Sequence, residues 1–405
     1  AAPESPILHL LLGDMYQYAE NLPDADASYR KAISLAPGWA KPRTNLGLLK
    51  LAQNKPAQAV RLFESALAND PQNTELLFFR ADAQRESGDL TGAIATYRRI
   101  ETRAVNRKTP AVAAQALTGL GQAYAAGGRM SDAITVLNRA NFIAPTDPAP
   151  LTALGEVQAQ RKEYDAAAQN YADALRLTKA SGLFGAKTVL YQALAQTQLA
   201  GGDPKAAQQT LNRAQLDEPA SANVWNRLRG EVLLSTGDQT GAEKAFRDAI
   251  DAQTDAGTFP QETLALLAAK KLLGTMAAVY RADFGASGAG FSTDATKPNI
   301  ADVTGRGRSE PPTLETRIRA FAALAAIAQY QGDAAQETAH REAVCRLRGR
   351  GSDYYALADA YDGRARDLAR AKDAYRKARN IGGLNDAQTA RARLRASQIG
   401  AAANP

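Results

Sequence analysis

Residues 12–37 read LGDMYQYAENLPDADASYRKAISLAP, and residues 46–71 read LGLLKLAQNKPAQAVRLFESALANDP. The second stretch repeats the frame of the first at one fixed offset: Leu12-Gly13 and Leu46-Gly47, then Ala25 and Ala59, Tyr29 and Phe63, Ala32 and Ala66, Pro37 and Pro71. Ala81, Ala93, Tyr97 and Ile100 continue it at the same spacing. After six extra residues come Leu120-Gly121, Tyr124, Ala133, Leu137, Ala140 and Pro145, and one period later Leu154-Gly155, Ala167, Tyr171 and Ala174. Six more inserted residues precede Leu194-Ala195, Ala207, Leu211, Ala214 and Pro219, and a seventh copy carries Gly230, Ala242, Phe246 and Ala249. A fixed period of about 34 residues marks a chain built from one repeated supersecondary unit.

Each landmark has a physical reason. The glycine and the first alanine stand where two antiparallel helices touch, and only small side chains permit that approach. The aromatic fills space between neighbouring copies. The proline ends the second helix, because it has no N–H to continue the ladder. Asn21, Asn54, Gly88-Asp89, Gly127-Gly128, Gly201-Gly202-Asp203 and Gly237-Asp238 punctuate the helix pairs. The pattern resembles the tetratricopeptide repeat (TPR) over about residues 6–256. That resemblance implies an all-α chain, a right-handed α-solenoid in which stacked helix-turn-helix repeats bury faces that no single repeat can bury.

Beyond about residue 257 the frame decays. Gln261–Tyr280 reads as one long amphipathic helix with Leu264, Leu267, Leu272 and Met276 as apolar points. Residues 283–312 are rich in Gly, Ser, Thr and Pro and have no helical period, so 257–312 is expected to be a linking helix and a long loop. Residues 313–400 are expected to hold degenerate, basic repeats: Thr313–Gln331 and Ala334–Leu347 about the Gly332-Asp333 turn, then Ser352–Asn380, with Asp386–Gln398 as a capping helix.

Composition narrows the function classes. Aromatics make up only 6% of the residues, so the core must come from close helix contacts and not from large side chains. One cysteine, Cys345, excludes a disulfide framework and a cysteine-rich metal site. Two histidines, His9 and His340, leave little for histidine-based catalysis or metal binding. The apolar run Ile7–Leu12 is far short of the roughly 20 residues that span a bilayer. No cofactor is implied, and an enzyme is disfavoured.

Motifs that suggest chemistry fail on inspection. Gly285–Ser292 has the glycine spacing of a phosphate-binding loop, but Phe291 stands where the lysine belongs and a helix, not a strand, precedes it. Asp283-Phe284-Gly285 echoes a kinase metal-binding tripeptide with no other kinase signature around it. His9 reads as a partly buried structural residue, His340 as part of a solvated helix and Cys345 as an inert thiol. Asp24 and Asp26, with Asp359 and Asp362, read as helix N-terminal or solvated carboxylates.

What remains is recognition by a surface. By the resemblance, the first helix of each repeat lines a concave groove, and its second, fifth, ninth and twelfth positions face the ligand. The residues expected there include Gln17, Thr44, Phe78, Asp82, Arg85, Gln122, Gln192, Gln196 and Arg227, with Asp14, Lys41, Glu75, Thr152, Glu156 and Glu231 beside them. The set is mixed and rich in amides, which suit a peptide backbone or sugar hydroxyls. Glu75 and Phe79 stand where a chaperone-tail clamp would need basic residues, so that ligand is disfavoured.

Net charge is +7, of which residues 301–405 contribute +6 (18 basic against 12 acidic). Their arginines recur at spacings of two, which spreads them over different helix faces, and Asp353, Asp359, Asp362, Asp367 and Asp373 lie among them. Nucleic acid is disfavoured, since no stacking aromatics or known motif accompany the arginines.

The expected function is a non-enzymatic scaffold that organises a multi-protein assembly, homo- or hetero-oligomeric, through its groove and its loop. The alternative is an exported protein of a polysaccharide-secretion system that contacts the glycan or its synthase. The opening Ala1-Ala2-Pro3 favours the bacterial periplasm or envelope over the cytoplasm. In the loop, Phe291, Arg306 and Arg308 are the expected partner contacts. Loop closure becomes costlier only slowly with length, so the fold tolerates this segment without requiring it. Deleting 285–307 should leave the solenoid folded and weaken assembly; an undisturbed complex in native mass spectrometry would refute that role.

Overall fold

The computed structural model describes residues 5–19, 21–68, 70–181, 186–255, 260–282 and 314–402. The loop 283–312, with Phe291, Arg306 and Arg308, lies outside the described residues. Among those described, every regular element is helical and there is no strand. The chain divides into two compact units, residues 1–207 and 208–405, a boundary that the repeat register does not mark.

The first unit holds α1 (Pro6–Tyr18) and α2 (Leu22–Leu35), α3 (Ala40–Ala52) and α4 (Pro56–Leu67), α5 (Thr74–Glu86) and α6 (Leu90–Asn106). It continues with α7 (Pro110–Ala126) and α8 (Met130–Ile143), α9 (Pro148–Gln160) and α10 (Tyr164–Ser181), and α11 (Ala186–Ala200). The unit boundary falls within α12 (Pro204–Asp217). The second unit adds α13 (Ala222–Ser235), α14 (Gln239–Asp255), α15 (Gln261–Ala269), α16 (Leu273–Ala282), α17 (Leu314–Gln331), α18 (Ala334–Leu347), α19 (Gly351–Ala360), α20 (Leu368–Ile381) and α21 (Asp386–Ala402). Both units are runs of an all-α solenoid.

The packing follows from the repeated residues. Ala25, Ala59, Ala93, Ala133, Ala167, Ala207, Ala242 and Ala371 are wholly buried. In four copies a ring nine-tenths buried or more (Tyr29, Phe63, Tyr171 or Phe246) lies on the glycine of its own first helix, and Leu137 lies on Gly121 in the same way. A Cβ built on Gly47 would stand 2.5 Å from the Phe63 ring. The same ring also meets the next copy, with Phe79 at 5.7 Å between centroids. The aromatic therefore closes its own helix pair as well as the gap between copies.

From the α3–α4 pair onward, a turn residue of positive φ joins the two helices of each pair. It is Asn54 and then Gly88, Gly128 and then Lys162, Gly237 and then Lys271, Gly332 and then Arg366, the second of each couple one repeat period after the first. The residue after it is often an aspartate that caps the second helix. The Asp89, Asp203, Asp238, Asp333 and Asp367 carboxylates each accept a backbone N–H three residues on.

This register corrects the reading of 261–280 as one helix. The chain turns at Lys270–Leu272 and bends by 115°, giving α15 and α16 as a short further copy. Lys271 takes the left-handed conformation at φ 59°, and Leu272 N–H closes the turn on the Leu267 carbonyl at 2.7 Å. Leu264, Leu267, Met276 and Tyr280 all reach the core of the second unit, which explains the turn: a straight helix could not present them together. No single described helix is long and apolar enough to cross a membrane.

Charges tie the helices laterally. Lys50, 5% exposed, bonds the Asp26 carboxylate, which also takes Arg30 at 2.5 Å. Burial pushes the Asp26 carboxyl up, but Lys50 and Arg30 outweigh it and leave it below the usual carboxylate range. Asp26 is therefore an interhelical tie and not a solvated carboxylate. Asp359 and Asp362 are corrected in the same way. They lie at the far end of α19 and in the wide turn after it, where Arg391 and Arg395 of α21 bond them at 2.6 and 2.5 Å. The other three aspartates that lie among these arginines are paired as well: Arg348–Asp353, Arg370–Asp367 and Lys377–Asp373.

Two expectations follow. Gly47→Leu should destabilise the chain by about 1–3 kcal/mol, because the added side chain overpacks the Phe63 contact; an unchanged melting temperature would show the pairing to be otherwise. The Arg395 bonds hold the Asp362 carboxyl below its ordinary value, against burial. Its contribution is then complete above the unfolded carboxylate pKa of about 3.9 and is lost as pH falls through the folded value. Asp362→Asn should lower the melting midpoint at neutral pH and flatten its decline below pH 4, read by circular dichroism melts across pH.

Candidate protein-interaction groove

The first helix of each copy in the first unit carries the expected groove residues. On α1, Asp14 accepts the Tyr29 phenol at 2.7 Å and the Asn45 amide at 2.8 Å, and the half-buried Gln17 amide lies 2.9 Å from the same phenol. On α5, the Tyr97 phenol donates to Asp82 at 2.5 Å, and Arg85 stands 3.7 Å from that carboxylate. Gln122 of α7 and Gln192 of α11 are half-buried, and Gln196 is exposed.

Electrostatics join α5 to α9. Glu156 is open to solvent, yet protein surrounds it closely enough for burial to push its carboxyl up, while Arg85 pulls it down. A carboxylate that is accessible but poorly hydrated is what a concave wall produces. The structure thus brings Asp82, Arg85 and Glu156 into one electrostatic neighbourhood.

Other expected contacts are committed to packing. Thr44 is 7% exposed and donates its hydroxyl to the Ala40 carbonyl at 3.1 Å. Phe78 is 9% exposed and packs its ring 6.5 Å from Tyr97. Replacing it would therefore cost packing, contrary to its reading as an open groove contact. Arg227, in the second unit, is 8% exposed and pairs with Glu231 at 3.4 Å and Glu262 at 3.2 Å. Its first role is to tie α13 to α15.

Groups of potential chemical use are also tied up. Burial pushes the Cys345 thiol up to about 12. His340 is half-buried with its ring 5.9 Å from Phe321, and burial, then Arg281, push its pKa down; it does not belong to an open, solvated face. No three His, Cys, Asp or Glu side chains converge to hold a metal ion among the described residues.

A second concave site escaped the sequence reading. In the copy made by α17 and α18, the positions that elsewhere hold alanine and the aromatic are Glu337 and Arg341, five and nine residues after Gly332. Glu337 is wholly buried. It accepts Arg341 at 2.8 Å and Arg364, from the turn after α19, at 2.5 and 2.7 Å. Arg341 and Arg364 border a cleft of about 480 Å³ whose lining also includes Arg348, Arg350, Gln329 and Asp353. The signal was available: counting five and nine residues on from the Gly332-Asp333 turn, as from Gly88-Asp89 or Gly237-Asp238, lands on Glu337 and Arg341.

Comparison with known proteins accords with the repeat. The family model described as tetratricopeptide repeat matches residues 44–108, 101–148 and 193–257. The BBSome complex member BBS4 of Bos taurus is 25% identical over 161 residues, 40% of this chain and 30% of that protein. The Hsp70-Hsp90 organizing protein of Triticum aestivum is 33% identical over 88 residues, 21% of this chain and 14% of that protein. The chain thus spans less than a third of the length of either relative. Among solved structures, a tetratricopeptide repeat protein from Parabacteroides merdae is similar with a TM-score of 0.44 and 19% identity, covering 60% of this chain and 91% of that one. With the repeat frame, the ring-on-glycine helix pairs and the family match agreeing, residues 44–148 and 193–257 are tetratricopeptide repeats, units that imply a protein-interaction scaffold.

Proposed function

We propose that this protein is a non-enzymatic scaffold that organises a multi-protein assembly, with the groove of its first unit as the contact surface. The observation that carries this reading is the division of labour among the side chains. Cys345 and His340 are absorbed in packing, whereas Gln122, Gln192 and Gln196 stand on the groove helices with amides that no internal bond commits among the described residues. Uncommitted amides beside Arg85 and Glu156 suit the alternating donors and acceptors of an extended peptide.

The same amides also suit sugar hydroxyls, which is the basis of a second reading, a contact with exported polysaccharide. A glycan array separates the two, since a peptide groove leaves it blank.

The test is a paired substitution, Gln122→Arg with Gln192→Arg, which adds bulk and charge to the groove from half-buried positions. The melting temperature should hold, and recovery of co-purifying proteins from the native host, measured by mass spectrometry, should fall at least about tenfold, as loss of a central contact typically does. Full recovery by the double variant, with loss on substituting only second-helix surface residues, would move the working surface to the convex side.

A further inference from the structure

We propose that the cleft of the second unit is a binding site for an acidic peptide segment of a partner protein. This rests on the scaffold reading and names the chemistry of one partner.

The first observation is a breach of the repeat. Elsewhere the second helix buries a small or apolar residue and, four positions later, an apolar side chain: Ala242 and Phe246, Met276 and Tyr280, Ala371 and Tyr375 in this same unit. Those pairs place no charged side chain at either position. The α17–α18 copy instead places there Glu337, which is wholly buried, and Arg341, which is part-buried and paired with it. Taking a carboxylate and a guanidinium out of water is costly, and apolar residues of similar volume commonly serve stability as well or better. Nothing in the fold requires the ions here, because neighbouring copies show what suffices. A local rule broken without structural need is most often found at a functional site.

The second observation is what the buried ions do to the surface. Glu337 engages Arg364 through Nε and Nη2 and Arg341 through Nε, while Gln329 takes Nη2 of Arg341 at 2.6 Å. Both guanidiniums are held by one edge and their opposite Nη1 ends lie outside these bonds. Their rotamer entropy is spent in folding, so a ligand need not order them. Arg350 stands exposed at the start of α19, with no carboxylate in ion-pair range among the described residues.

The third observation is charge. Four guanidiniums line the cleft; Glu337 offsets one of the charges on Arg341 and Arg364, Asp353 offsets Arg348, and Asp359 is already bonded to Arg391, which leaves an excess of positive charge. The surplus is positive and fixed in place, and guanidinium forks match carboxylates. The cleft has room for a few residues of extended chain, and Gln329, Ser352 and Gln388 on its lining suit a peptide backbone. An acidic peptide meets all of these features.

The experiment uses the full chain and a fluorescein-labelled Glu-Ser repeat peptide, followed by fluorescence anisotropy, with the Gln-Ser peptide as control. The Glu-Ser peptide should bind, the Gln-Ser peptide should not, and affinity should fall steeply with added salt. Arg350→Glu should weaken binding at least about tenfold, since an exposed side chain can change sign without disturbing the fold. The double variant Glu337→Ala with Arg341→Tyr restores the repeat's own pair. It should melt at or above the parent temperature and still lose the peptide, so lost binding cannot be blamed on misfolding. Equal binding of both peptides, undiminished binding by either variant, or preference for a heparin oligosaccharide over the peptide would overturn the inference. A chain that ignores the Glu-Ser peptide but captures host proteins through the first unit overturns this inference alone. A chain that does neither overturns the scaffold reading with it.

Discussion

An aromatic ring lying on a residue that has no side chain is the contact on which this structure depends. Phe63 on Gly47 and Phe246 on Gly230 bring two helix backbones closer than any larger residue would allow. The wholly buried alanine one turn earlier, Ala59 or Ala242, extends that closeness along the pair. A chain with few aromatics can build a core in this way, because each ring is used at the point of closest approach. The left-handed turn residue and the aspartate after it set where each pair begins, and so keep the rings in register.

The register was legible where the residues that carry it are distinctive. Leu-Gly, the alanine and the ring name the copy at 46–71 with little ambiguity. At Lys271 the same turn is made by a lysine, which has no turn signature, and the copy around it is short. The sequence therefore looks like one amphipathic helix, since both short helices place their apolar residues at helical spacing. The groove was legible as a set of positions but not as a set of available side chains. Repeat position gives direction around the helix, whereas depth depends on the neighbouring copy. Thr44 and Phe78 share their positions with open residues and are nonetheless covered. Asp359 and Asp362 were misread for a similar reason, because their arginine partners stand on α21, far along the chain from α19.

The two units solve the problem of charge differently. In the first, Lys50 and Asp26 form a tie between adjacent copies while the groove keeps its neutral amides. In the second, aspartates and arginines are paired from one helix to the next, and the net positive charge is left on a few guanidiniums such as Arg350. Formal charge counted from the sequence would spread that excess over the whole C-terminal region. The pairing confines it, and a confined field is more selective than a diffuse one.

Closing the helix pairs one by one, by a ring or a leucine, also governs how the chain comes apart. No residue is shared by a common centre, so stability is a sum over neighbours. Loss of one copy removes the two faces it presents and leaves the rings of more distant copies in place. The array therefore loosens in instalments, like a row of clasps. In the second unit, Trp225 and Tyr280, both wholly buried, belong to different clasps and would report their release separately. Glu337 instead fastens α18 by charge to the turn after α19, through Arg364, and that grip passes through a single buried carboxylate.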